Sequence, residues 1–180
     1  MKTMNRTRRL LAYPSVIALI IVSTALLAGC GKQDKNDFQT GMDAFKANQY
    51  EKAVKCFEKA ADAGHAEAMF RLAQCYGKGN GVEKDEEKAF NFLKRSADAG
   101  NAKAKFMTVS KDADENVISR DEALKRLNEL DADLLKLSNA DDAEAQILYA
   151  MLCLMQGKRD EAKNWAEKAK ANGGEEMFGI

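Results

Sequence analysis

The sequence predicts an all-α protein built as an array of about four helix-turn-helix repeats, and three observations carry that expectation. In residues 66–100 the apolar side chains Met69, Leu72, Ala73 and Tyr76 fall at three- and four-residue steps, and the spacing resumes at Ala89, Phe92, Leu93, Ser96 and Ala97. Such steps put side chains on one face of a helix. Between the two runs Gly77, Gly79 and Gly81 bracket Lys78 and Asn80 and break the pattern, and Gly100 ends it. Finally, ADAGNA at residues 97–102 nearly repeats ADAGHA at residues 61–66, an offset of 36 residues. A two-helix unit recurring at that period cannot cover its apolar face alone, so neighbours must stack. With 46% hydrophobic and 31% charged residues and a single proline, the composition suits an ordered helical body and argues against a disordered chain.

Taken in order, residues 1–29 carry Lys2, Arg6, Arg8 and Arg9 ahead of an apolar run at 16–27, then small residues, which is the build of a secretory signal. Pro14 stops any backward extension, so the run falls short of the ~20 apolar residues that span a bilayer. Residues 30–37 are polar after Cys30 and form a tether, of which residues 31–37 reach at most about 25 Å. The first repeat, 38–64, turns at Asn48 and Gln49, with Tyr50 and Phe57 filling the space between its helices. The second, 65–100, is the unit described above. In the third, 101–137, Ala102, Ala104, Phe106 and Val109 keep the first helix in phase. The expected loop there is residues 111–121, and one long second helix carries Ala123, Leu127, Leu130, Leu134 and Leu137 on one face. The fourth, 138–174, turns at Gly157, has close contacts at Ala162 and Ala169, and stops at Gly173 and Gly174. Residues 175–180 are a tail.

The second unit resembles the Sel-one-like repeat, a longer-looped relative of the tetratricopeptide repeat, at Ala66, Leu72, Tyr76, Gly79, Gly81, Val82, Asp85, Lys88, Ala89, Lys94, Ala97 and Gly100. It departs from that pattern at Ala73, where glycine is usual, and at Phe92. The first unit resembles an ordinary tetratricopeptide repeat at Gly41, Ala44, Tyr50, Ala53, Phe57 and Ala60, and the fourth is of the same kind. The resemblance implies a right-handed superhelical solenoid and a non-catalytic role, a scaffold or adaptor for protein or peptide partners of the bacterial cell envelope. Leu27, Ala28, Gly29 and Cys30 resemble a bacterial lipobox, which implies that Cys30 is acylated and becomes the mature amino terminus. Gly31 in place of an inner-membrane retention aspartate points to the periplasmic face of the outer membrane. Two alternatives stay open: a β-lactam hydrolase of the kind credited to cysteine-rich secreted relatives, which carry a cysteine pair in each repeat, and a weak calcium-responsive module.

Chemistry-bearing residues are sparse. Loss of residues 1–29 removes four of the 28 basic residues and none of the 28 acidic ones, leaving a net charge of −4, unsuited to nucleic acid. The one histidine, His65, stands at a helix start and is read as a cap, since a metal site or a general base needs partners. The glycines at 77–81 lack the spacing and the preceding strand of a phosphate-binding loop. Asp112, Asp114, Asn116, Ile118, Ser119 and Glu122 resemble an EF-hand calcium loop one residue short, at the invariant turn glycine, whereas a capping box explains Ser119 and Glu122 without a metal. Cys56, Cys75 and Cys153 are an odd number beyond Cys30; a Cys56–Cys75 disulfide is geometrically open, against buried free thiols. No cofactor is implied. Phe38, Phe70, Phe106 and Ile147 recur at one position of all four first helices, either as inter-repeat core or as lining of a partner groove. Arg71, Gln74 and Lys103 are expected to be exposed on those first helices and to take part in partner capture.

Overall fold

The computed structural model describes residues 36–174, and within them all regular structure is helical. The helices are α1 (36–46), α2 (Tyr50–Asp62), α3 (Ala66–Lys78), α4 (Glu86–Asp98), α5 (Ala102–Asp114), α6 (Arg120–Asn128), α7 (Asp131–Ser138), α8 (Ala143–Met155) and α9 (Arg159–Ala171). They stack as an all-α repeat solenoid whose units pair α1 with α2, α3 with α4, α5 with α6 and α7, and α8 with α9. Cys30, the signal and most of the tether, together with the tail at 175–180, lie outside the described residues. Among the described residues no helix is long and apolar enough to cross a membrane.

Each helix start has a local cause. His65, Asp85, Asn101, Ser119 and Asp142 are N-caps whose side chains accept the backbone N–H three residues on, from Ala68, Lys88, Ala104, Glu122 and Ala145. The His65 ring also stacks on Phe38, with centroids 4.4 Å apart, tying the first repeat to the second. Two glycines are demanded by close approach. A Cβ on Gly41 would meet the Phe57 ring at 2.6 Å, so its absence lets α1 lie against α2. Gly81 has φ +73°, and a Cβ there would run into the backbone of Tyr50 and come within 2.6 Å of the Glu51 nitrogen. The α3–α4 loop is thereby pressed onto the start of α2.

The apolar core comes in three parts. Alanines with Val54, Phe57, Met69, Leu72 and Cys75 join the first two repeats. Phe106, Leu127, Leu134, Tyr149, Leu152 and Trp165 dominate the joint between the last two. The middle part is smaller: Phe70, Ala73, Leu93, Ala97 and Ala104, where α4 meets α5.

The third repeat corrects two expectations. Lys111, Asp112 and Asp114 belong to the last turn of α5 rather than to a loop. The single long second helix is in fact two, α6 and α7, broken at Glu129 and Leu130. The Leu130 N–H bonds to Leu127 O, a tightened turn, and Asp131 and Asp133 then supply the negative charge that favours a fresh helix start. Gln156 of the next unit donates to Asn128 (2.8 Å) and Asp131 (3.3 Å) across the break. The bend keeps Leu127, Leu130 and Leu134 all buried, which is why no glycine or proline is needed to mark it.

Candidate partner-binding face

Three first helices begin alike: Ala66-Glu67-Ala68, Ala102-Lys103-Ala104 and Ala143-Glu144-Ala145, each preceded by its cap. Stacking of the repeats brings the middle residues together as an acid–base–acid ladder. The Lys103 ammonium, 2% exposed, donates to Glu67 (3.1 Å), Asp142 (2.9 Å) and Glu144 (3.0 Å). Arg71, one turn along α3, donates to Glu144 at 2.9 Å and pairs with Glu67 at 3.0 Å, while Gln74 donates to Glu144 at 2.6 Å. Two caps serve twice. Asp142 accepts from both Ala145 N–H and Lys103, and Asn101 accepts from Ala104 N–H while donating to Glu67 at 2.7 Å. Charge-assisted bonds of this kind are the stronger ones, and each charged member has an opposite charge within reach, with the buried Arg71 Nε alone left without a hydrogen-bond partner in the ladder.

The network sets its own protonation. Burial works to raise the Glu144 carboxyl, but Arg71 and Lys103, with the bonds from Gln74 and Lys103, outweigh it and hold the group below the usual carboxylate range. Burial likewise works to lower Lys103, and the Glu67, Glu144 and Asp142 carboxylates outweigh that and raise it. Glu144 and Lys103 are therefore both charged at neutral pH.

Beside the ladder lies a groove of about 360 Å³ walled by α3, α4, α5 and α8. Phe70, Leu93 and Leu148 form its floor, Phe90 and Met107 its sides, and Lys78, Lys111 and Glu86 its rim. The buried Glu144 reaches its edge. Two ammonium groups bracket the Phe90 ring, Lys111 at 4.9 Å and Lys94 at 5.3 Å from its centroid.

The expected site residues divide accordingly. Arg71, Gln74 and Lys103 are not free surface groups: Lys103 is buried, the other two are half-buried, and all three are spent on Glu144. Phe70 is both core and groove floor. Phe106 is 2% exposed and packs wholly between repeats, Phe38 lies against Phe57 and His65, and Ile147 is half-buried at the open end of the array. Asp112, Asp114, Asn116 and Glu122 are not gathered. The first two lie on α5, Asn116 is in the turn with φ +57°, and the Glu122 carboxylate accepts from Arg126 at 2.8 Å. Among the described residues no group of three or more His, Cys, Asp or Glu could hold a metal ion. Cys56, Cys75 and Cys153 are free thiols. Burial pushes Cys75 up to about 11 and raises Cys153 as well, so neither is a thiolate nucleophile at neutral pH. Phe90, Met107 and Lys111 were not singled out in the sequence. Their place depends on how α4 meets α5, and one repeat alone does not encode that.

A family model for the Sel1 repeat matches residues 38–65, 66–101 and 143–174, more than half of the chain and including the first and last units. Residues 102–142, with the broken helix, fall between matches. No curated protein matches the chain. Among solved structures it is similar to a Sel1 repeat protein from Oxalobacter formigenes, with 22% identity, 77% of this chain and 58% of that one covered, and a TM-score of 0.45. It is also similar to c5321, a protective antigen present in uropathogenic Escherichia coli strains and displaying an SLR fold, with 24% identity, 76% and 30% coverage, and a TM-score of 0.45. The chain spans less than two thirds of the length of either. On the three matched repeats, the chain belongs to the Sel1 repeat family, whose repeats generally mediate protein–protein interaction and are typically non-catalytic.

Proposed function

We propose that the protein is an adaptor of the bacterial cell envelope, held by lipid on Cys30 at the periplasmic face of the outer membrane, and that it docks a protein partner in the groove beside the charge ladder. The observation that carries the docking reading is the groove itself: an apolar floor with cations at its rim, on a base made rigid by paired buried charges. Interfaces commonly take an apolar anchor side chain into such a pocket, with polar groups around it. The lipid reading rests on the run Leu27, Ala28, Gly29 and Cys30 after a basic and apolar leader. Two or more acyl chains anchor stably where one does not.

Cross-linking and pulldown of the full-length chain from membranes tests the groove. Phe90→Glu places a charge over the apolar floor and is expected to lower partner recovery at least tenfold, with helicity unchanged. Glu58→Ala, on an exposed face of α2, leaves recovery intact. Equal recovery with Phe90→Glu would place the partner elsewhere. Labelling with an alkyne fatty acid tests the anchor: Cys30→Ser is expected to abolish it, and unchanged labelling refutes acylation at that residue.

A further inference from the structure

The array ends with a second groove, of about 740 Å³, between α8 and α9. Its floor is Ile147, Met151 and Leu154 on α8 with Ala162 and Ala166 on α9. This is the last repeat's counterpart of the face that the next repeat covers elsewhere. Phe70 and Phe106, at the position of Ile147, are each 2% exposed, whereas Ile147 is half-buried, and beside it Met151 and Leu154 are 46% and 58% exposed. Open apolar ends of repeat arrays need capping.

We propose that the chain's own residues 175–180 fill this groove and cap the solenoid, a surface apart from the partner groove above. Three observations favour that occupant. The first is where the chain stands at Gly174: this residue is part of the groove wall, and a Cβ on it would lie 3.1 Å from the Ile147 side chain, so the next residue starts beside the floor. The second is reach. Six residues extend to about 20 Å, whereas the floor from Ile147 to Leu154 runs about 10 Å at the helical rise, so the tail covers it with length to spare. The third is chemistry. Glu175 and Glu176 come first and Met177, Phe178 and Ile180 follow, while the rim carries Arg159, Lys163 and Lys170 against a single acid, Glu167. Of these bases Lys170, in the last turn of α9, is the one beside the exit where Glu175 and Glu176 leave, and the three apolar side chains that follow are offered to an apolar floor.

The test uses the full-length chain in membranes, with photo-reactive p-benzoylphenylalanine at position 178. Illumination is expected to give an internal cross-link, mapped by mass spectrometry to residues 147–166 of the same chain. Leu154→Asp, at an exposed position that leaves the core untouched, is expected to cut its yield at least fivefold. In the same chain, Lys170→Glu lowers the yield, and Glu175→Lys with Glu176→Lys restores it. A cross-linked species of twice the mass would show exchange between copies and overturn the proposal. So would cross-links only to lipid or to another protein, or a yield insensitive to Leu154→Asp.

Discussion

Replacing Lys103 by methionine keeps a four-atom side chain and removes the ammonium that three carboxylates share and that stands 5.0 Å from the Phe70 ring centroid. The cost differs among them. Glu67 and Asp142 are about a quarter exposed, at 25% and 27%, so each regains water, and their share is of surface size, ~0–1 kcal/mol. Glu144 is 5% exposed and keeps only Arg71 as its charged partner. Removing one member of a buried pair costs ~3–5 kcal/mol, and the surviving Arg71 bond places this case at the lower end, about 3 kcal/mol. For the 139 described residues the unfolding entropy is about 0.3 kcal/mol per kelvin, so the melting temperature should fall by about 10 °C. Urea unfolding followed by circular dichroism gives the free energy directly, with an unchanged m-value showing that the folded state is otherwise intact. Adding Glu144→Gln to Lys103→Met should return at least half of the loss, because the uncompensated charge is then gone. A loss below about 1 kcal/mol for the single variant, or no recovery in the double, would mean that the ladder acts as an ordinary surface cluster and that the burial argument is wrong.

The same network gives a pH dependence. The folded protein holds Glu144 below its unfolded value, so its contribution is complete above about pH 4.3 and is lost as pH falls through the lowered folded value. Lys103 is raised, so its contribution is complete below about pH 10.4 and fades as pH rises above that. Urea midpoints from pH 3 to 11 should therefore fall at both ends, and the acid limb should be shallower in Lys103→Met. Gly81→Ala combines a left-handed φ with a backbone collision and should cost over 2 kcal/mol, whereas Gly79→Ala, with room at 3.5 Å, should cost only the ~1 kcal/mol of its φ, both by urea unfolding. Half-buried Cys56 should react with a thiol reagent in the folded protein, and Cys75 and Cys153 only at the rate of unfolding; prompt modification of all three would contradict their burial. Purified protein should leave nitrocefin intact, and turnover that tracked the thermal melt would make it an enzyme.

Much of the fold was legible because repeats write it several times. The glycine loop at 77–81, the alanine contacts and the caps at His65 and Ser119 follow from local rules that hold within one unit, while the Glu122 carboxylate turns to Arg126 instead of closing a capping box. The break at Leu130 was not legible, since the apolar spacing of Ala123, Leu127, Leu130 and Leu134 continues through it, and the acids Asp131 and Asp133 at the new start read equally well as solvated residues of one helix. The site was less legible still. Arg71, Gln74 and Lys103 look like solvated helix residues when each unit is read alone. Aligned by repeat, however, Ala-Glu-Ala, Ala-Lys-Ala and Ala-Glu-Ala follow the caps His65, Asn101 and Asp142 at one register, and alternating signs at stacked positions are a readable signal for pairing.

That register explains why charge is buried at this place and not elsewhere. The joint between the second and third repeats has the smallest apolar core, three of its five residues being alanine, and small smooth side chains resist sliding weakly. Lys103 can reach Glu67, Asp142 and Glu144 together only at one offset of α5 against α3 and α8, and a slip of one helical turn, about 5.4 Å, would strand a buried ammonium. The Ser96 hydroxyl, donating to Ala66 O at 2.7 Å from a fully buried position, pins α4 to the start of α3 in the same way. The groove is built on this joint, with Phe70 and Leu93 from one side, Met107 and Leu148 from the other. Its shape is therefore set by polar contacts with a single solution rather than by alanines that tolerate several, so that in the proposed docking an anchor side chain would meet a preformed pocket with little ordering left to do.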